Sequence, residues 1–208
     1  MDLQILHALA NARTPFFNAF FIFVTKLGDG GIFWIAFCLA LLFLLPAVTV
    51  RKAARSGDAS AVAAAAVRAR SYRMAGLMMA LSLILGAVIG NLILKPIFNR
   101  TRPFLADPTL TILIKAPTSV SFPSGHTTSS FASAVSFCLD PSQKRGLKIL
   151  AIVAACLIAF SRLYVGVHYP TDVLGGIIIG VVSACLIRAL MKHPKMQAAA
   201  AKLPGFHA

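Results

Sequence analysis

Three short segments combine residue types that could do chemistry. Ser161-Arg162-Leu163-Tyr164-Val165-Gly166-Val167-His168-Tyr169-Pro170-Thr171-Asp172 sets a cation, an imidazole and a carboxylate in an otherwise apolar chain. Lys95 through Arg102-Pro103 adds the cations Lys95 and Arg102, with Arg100 between them, and Pro123-Ser124-Gly125-His126 adds a second histidine beside a serine and a glycine. Ionisable side chains at membrane depth are costly enough that function is their default explanation. Counting Lys95, Arg102 and Arg162, there are three cations, two histidines and one carboxylate. That set suits the cleavage of a phosphate ester through a phosphohistidine.

Each segment contributes a separable step. Ser124 is a good helix N-cap, and the amides that follow it lack intrahelical partners, so they can donate to phosphate oxygens with help from the helix dipole. Gly125 permits close backbone approach. His126 can then protonate a departing oxygen, the task of a general acid near neutral pH. A capped helix with an incidental histidine would present the same string.

Pro170 suits a helix first turn, which puts His168 at the helix mouth with Asp172 four residues on. A carboxylate on one ring nitrogen leaves the other lone pair free to attack phosphorus, so His168 is the expected nucleophile. A His-Asp pair that only satisfies buried polar groups is the competing explanation. Arg102 and Arg162 offer planar, bidentate donors, and Lys95 a flexible point charge, for phosphoryl oxygens. Arg100 falls one residue off this pattern and is expected to meet solvent or a headgroup. Asp172 is the only acid in the three motifs, so no metal site and no cofactor are expected.

The elements that must carry these groups follow from composition. Of 208 residues 58% are hydrophobic and 12% charged, where an ordinary soluble domain has about a quarter charged. Spanning helices need about 20 apolar residues. Ile32–Val50, Met74–Leu94 and Val173–Met191 meet this, and Gly125–Leu139 and Leu147–Val165 are weaker candidates. Thr14-Pro15 resembles a cap with a first-turn proline, and the apolar run Phe16–Val24 is too short to cross. The N-terminus is therefore expected to form an interfacial helix and a short helix dipping in before the Gly28-Asp29-Gly30-Gly31 turn. A sixth crossing stays open. The fold class is an all-helical membrane bundle of about five transmembrane helices, in one domain over residues 1–208 with its motif core at 95–172.

The formal charge of +14 could mark a nucleic-acid binder, but the basic residues lie between apolar runs. Six fall between Arg51 and Arg73, three between Lys144 and Lys148, and four are Arg188, Lys192, Lys195 and Lys202. All thirteen share one side if the spans alternate, as the positive-inside rule expects of the cytoplasm, and the three motifs share the other. The alanine- and arginine-rich stretch from Ala53 to Arg70 is read as a solvated loop with some helix, with anionic lipid contact as a secondary role. Cys38, Cys138, Cys156 and Cys185 have no metal spacing and are read as small buried hydrophobes. His193 and His207 are read as exposed. The start lacks the basic n-region of a secretory signal, so the chain is expected to be kept whole.

Lys95-x6-Arg102-Pro103, then Pro123-Ser124-Gly125-His126, then Ser161-Arg162-x5-His168-x3-Asp172 resembles the three-part signature of the type 2 phosphatidic acid phosphatase superfamily. The resemblance implies a metal-independent membrane phosphatase in which Lys95, Arg102, Arg162, Ser124 and Gly125 bind phosphate. His126 would be the acid, His168 the nucleophile and Asp172 its partner. It also implies a lipid phosphate partner, no nucleic acid, and a multi-pass location in the cytoplasmic membrane with the site facing the periplasm or exterior. By family analogy the first substrate choice is undecaprenyl pyrophosphate, ahead of phosphatidylglycerol phosphate, phosphatidic acid or a lipid A phosphate. Vanadium-dependent haloperoxidases share the signature, and the spans and small size argue against them. A transporter or scaffold would have to treat six aligned polar residues as packing. The chain departs from the family at its N-terminus, where relatives often carry a complete extra span before the equivalent of Thr14-Pro15.

Overall fold

The structure, a computed structural model, describes residues 1–203, and every described element is a helix or a connecting turn. His207 lies outside the described residues. Helix α1 (Asp2–Asn11) leads to α2 (Pro15–Leu27), where Thr14 accepts a hydrogen bond from the Phe17 amide and Pro15 opens the first turn, as the sequence predicts. Gly30 and Gly31 then take positive φ of 59° and 71°, a conformation that glycine adopts without a steric penalty. This tight reversal swings the chain into α3 (Ile32–Leu39), continued through a wide π turn into α4 (Leu45–Ala54).

Helix α5 (Ala59–Ala87) starts immediately after Asp58, whose carboxylate accepts the Ser60 amide at 2.8 Å. The stretch read as a largely solvated loop from Ala53 to Arg70 is therefore mostly helix. Alanine is the best helix former, and a capping aspartate nucleates the run. A second π turn carries α5 into α6 (Lys95–Phe98). The helix ends at Asn99, left-handed at φ 39°, and α7 (Pro103–Ala106) begins on a new axis.

After a loop come α8 (Gly125–Cys138), α9 (Arg145–Tyr164), α10 (Pro170–Met191) and the short α11 (Pro194–Ala201), capped by exposed His193. Among the described residues four helical stretches are long and apolar enough to cross a membrane: Asp29–Ala54, Ala59–Ala106, Arg145–Tyr164 and Pro170–Met191. Helix α8, the other expected crossing, has only 14 residues, about 21 Å at 1.5 Å per residue against a bilayer core of about 30 Å, yet it carries the chain from the motif end of the bundle to the opposite end, where Ser142 meets Ser71 of α5. It packs on α5, α9 and α10, so its threonines and serines meet protein rather than lipid: Thr127, Thr128, Ser130, Ser133 and Ser136 are all buried.

Glycines set how close these helices come. A Cβ at Gly180 would lie 2.7 Å from the Ala132 nitrogen, and one at Gly176 would lie 2.9 Å from the Ser124 carbonyl. The Gly176-x3-Gly180 face of α10 thus brings two backbones together and seats the N-terminus of α8 against the first turns of α10. Trp34, Phe137, Met79 and Ile158 fill the core beside it, and Trp34 donates from its indole to Ser130 at 2.9 Å. Large apolar side chains such as Ile84, Leu92, Leu150 and Ile178 point outward, as a lipid solvent requires. Cys38 is buried, but Cys156 and Cys185 are exposed on the outer faces of α9 and α10, a correction to the expectation that all four are buried. An apolar solvent accepts the same residues as a protein core, and composition does not separate the two.

Candidate active site

The left-handed end of α6 at Asn99 and the Pro103 and Pro170 starts of α7 and α10 lie at one end of the bundle, and the three motifs gather there. His168 sits in the turn between α9 and α10, only 2% exposed, and Asp172 on the first turn of α10 is fully buried. The Asp172 carboxylate is engaged on both oxygens. Oδ2 accepts from the Tyr169 amide at 2.9 Å, from the Ser121 hydroxyl and from His168 Nδ1 at 3.3 Å. Oδ1 accepts from Arg100 at 2.7 Å. With Nδ1–H turned to the carboxylate, His168 Nε2 keeps its lone pair, and that atom lies 3.3 Å from a guanidinium nitrogen of Arg102. Burial, aided by the positive fields of Arg162 and Arg102, pushes the imidazole well below its ordinary range, against the opposing pull of Asp172. The ring is therefore neutral near pH 7, the form in which a histidine can attack.

Arg102 and Arg162 are 4% and 3% exposed, and among the described residues neither meets a carboxylate in a hydrogen bond. Arg102 is held by the carbonyls of Ser119, Val120 and Val167 and by the Ser119 hydroxyl. Arg162 donates to the Thr25 hydroxyl, and its Nε has no partner among the described residues. A buried guanidinium is costly without a hydrogen-bonded counter-ion; Asp172 and Asp29 act on Arg102 and Arg162 only through their fields, and both arginines act in turn on His168. Lys95, half-buried on α6, lies within the field of Arg102. The three cations leave an excess of positive charge that a dianionic phosphoryl group would neutralise.

Ser124 starts α8 with an extended backbone, yet its hydroxyl caps nothing and instead accepts from Thr127 at 3.0 Å. Among the described residues the amides of Gly125, His126 and Thr127 find no acceptor, the condition for anion binding at a helix start. The Ser124 amide itself donates to the Asp172 carbonyl at 3.1 Å, which ties the start of α8 to the start of α10. His126 Nε2 lies 2.9 Å from Asp29 of the glycine turn.

Sequence reasoning passes over several of these partners. Asp29, Thr25, Ser119 and Ser121 touch the candidate site residues, and none stands at a motif position. Scarcity is the signal that could have found one of them, because the chain has only six acidic residues and one sits between glycines at Asp29. Arg100 needs correction: it is engaged with Asp172, Thr171 and Asp2 rather than with solvent or a headgroup. Beside the site, an apolar cavity of about 410 Å³ runs between α3, α5 and α8, lined by Ile35, Leu39, Leu83 and Ala87. Its polar end reaches Asn91 and Gly125.

Comparison with known proteins gives a consistent result. Residues 74–195 match the model of the PAP2 superfamily. An undecaprenyl-diphosphatase of Sulfolobus acidocaldarius is 36% identical over 109 residues, 52% of this chain and 51% of that protein. The chain spans about half the length of the curated relatives it matches. The crystal structure of Aquifex aeolicus LpxE superposes with a TM-score of 0.67 at 26% identity, over 90% of this chain and 94% of that one. The crystal structure of a transmembrane PAP2 type phosphatidylglycerolphosphate phosphatase from Bacillus subtilis gives 0.65 at 27% identity, over 92% of this chain and 84% of that one.

Proposed function

Since the chain belongs to the PAP2 superfamily, we propose that this multi-pass helical membrane protein is a lipid phosphatase that works through a phosphohistidine. The observation that carries the proposal is the pair of buried arginines, neither hydrogen-bonded to a carboxylate among the described residues, whose positive fields meet at the carboxylate-anchored His168. A phosphoryl group held by Arg102, Arg162, Lys95 and the free amides after Ser124 and Gly125 meets the Nε2 lone pair. Nε2 forms a bond to phosphorus as the bond to the leaving oxygen breaks, and His126 supplies the proton that oxygen needs. Water, losing its proton to His126, then attacks the phosphohistidine and releases inorganic phosphate. Splitting one displacement into two lowers each barrier, and the cations stabilise charge on the pentacoordinate oxygens. Asp172 holds the ring and balances its positive charge while it is phosphorylated.

The substrate is a phosphomonoester or pyrophosphate on a lipid, and undecaprenyl pyrophosphate is the first choice, supported by the similarity to a diphosphatase of that name. The apolar cavity ending at Asn91 and Gly125 suits a lipid chain whose headgroup lies at the α8 N-terminus. The site faces the periplasm or exterior of a cytoplasmic membrane, because the thirteen basic residues of the other side favour the cytoplasm. Phosphate release from a panel of undecaprenyl pyrophosphate, phosphatidylglycerol phosphate, phosphatidic acid and lipid A tests this. Turnover is expected on the prenyl pyrophosphate, resistant to a chelator and blocked by vanadate, with none from His168→Ala. Failure on every lipid, or full activity in His168→Ala, overturns it.

A further inference from the structure

Arg100 lies outside the phosphate-binding pattern, yet it is bonded to the buried carboxylate behind the proposed nucleophile. One guanidinium nitrogen donates to Asp172 Oδ1 at 2.7 Å and to the Thr171 hydroxyl at 2.6 Å. Another donates to Asp2 on the first turn of α1 at 3.0 Å. The planar group lies over the Tyr169 ring, 4.0 Å from its centroid. Asp2 also accepts from the Thr171 hydroxyl, so α1, the α6–α7 connection and the first turn of α10 meet at one cation. Two further contacts hold the N-terminal segment over the site. His7 pairs with Asp107 at 2.8 Å, and Arg13 donates to the Tyr164 carbonyl at 2.7 Å and to the Thr111 carbonyl at 2.9 Å.

We propose that Arg100 is a positioning residue for the Asp172–His168 pair and that Asp2 aims it, making α1 a working part of the site. This rests on the assignment of His168 as nucleophile. Asp172 has two oxygens: one faces the ring, and the other would be a buried, half-paired anion without Arg100. A fork is needed because a single group must face Asp172, Thr171 and Asp2 together while stacking on Tyr169. Lysine can replace the charge but not that geometry. Arg100 is one-third exposed, but its bonds point inward, so its loss should affect the alignment of His168 and not the capture of phosphate.

Steady-state kinetics on the full-length protein in detergent separate the alternatives. Arg100→Gln should lower kcat about 10- to 100-fold, the range seen when a group supporting a functional ligand is lost, with KM changed less than about threefold. Arg100→Lys should recover part of the lost kcat. Asp2→Asn should lower kcat by a smaller factor, and the double variant should be no worse than Arg100→Gln, because Asp2 acts through Arg100. A rise in KM at constant kcat would instead make Arg100 a substrate contact and overturn the proposal. So would multiplicative losses in the double variant, or an unchanged kcat accompanied only by a lower thermal midpoint. His168→Ala, assayed in parallel, tests the underlying assignment: if it keeps turnover, that assignment fails, whatever Arg100 does.

Discussion

Replacing Asp172 with asparagine changes one oxygen to an amide nitrogen and removes one buried charge. Among the described residues Oδ2 serves three donors, the Tyr169 amide, the Ser121 hydroxyl and His168 Nδ1, whereas Oδ1 serves Arg100. Asparagine will therefore keep its oxygen toward the three donors and turn its NH2 toward Arg100. The fold survives, at the loss of one charge-assisted bond worth about 1.5–3 kcal/mol. The kinetic loss is larger. The imidazole gains a positive charge as it is phosphorylated, and at the observed 3.3 Å a full charge pair contributes about 5 kcal/mol at an effective dielectric constant of about 20. With about 1.4 kcal/mol per decade, turnover should fall about 10³- to 10⁴-fold, in line with the loss of carboxylates that orient histidines elsewhere. KM should change little, because no phosphate contact is removed. Single-turnover phosphate release in detergent, with circular dichroism and a thermal midpoint to verify folding, reads both quantities. A folded Asp172→Asn protein that loses less than tenfold in rate would refute the electrostatic argument.

Three further outcomes are expected. Because burial depresses the His168 imidazole, it should stay neutral on ¹⁵N-histidine NMR down to pH 5.5, with the signal assigned by His168→Gln; titration near the ordinary value of about 6.5 contradicts this. The same depressed value means the unfolded state takes up the proton first, so this group erodes stability as pH falls below about 6.5 and leaves it unchanged above. Gly180→Ala places a methyl group 2.7 Å from the Ala132 nitrogen and 2.8 Å from the Thr128 carbonyl, so α8 and α10 must part. A loss of about 1–3 kcal/mol is expected as a lower thermal midpoint, and an unchanged midpoint would show that this contact yields freely. Single cysteines at exposed Thr109 and Ser142 in a cysteine-free protein test orientation in intact cells. An impermeant thiol reagent should modify the first and spare the second, and the reverse pattern sinks the external site.

The chemical segments were legible because polar and charged residues are rare between apolar runs, and helix breaks at Pro103 and Pro170 mark where such runs must end. The spans Ile32–Val50, Met74–Leu94 and Val173–Met191 were legible for the same reason, since length and hydropathy are one-dimensional properties. Two elements were harder. The alanine- and arginine-rich stretch from Ala59 to Arg70 reads as a basic loop between spans, but helix propensity and an Asp58 cap act where no large apolar residues mark a face. The α8 segment reads as a weak crossing because its serines and threonines signal close packing, and only the glycines of a different helix, Gly176 and Gly180, reveal what it packs against. Arg100 and Asp29 were missed for a third reason. Their partners, Asp172 and His126, are 72 and 97 residues away in the chain, and spacing within a motif carries no information about such pairs.

The central claim is a covalent phosphoryl group on one nitrogen of one histidine. Rapid acid-free quenching of the protein during turnover of ³²P-labelled undecaprenyl pyrophosphate, followed by peptide mass spectrometry, tests it directly. An acid-labile, base-stable phosphoryl group on the peptide containing His168 is expected, accumulating in a variant of His126 if slowed hydrolysis leaves the intermediate standing, and absent from His168→Ala. Label on His126 or on any other residue, or turnover with inversion of configuration at phosphorus, the mark of direct attack by water on the substrate, would contradict it.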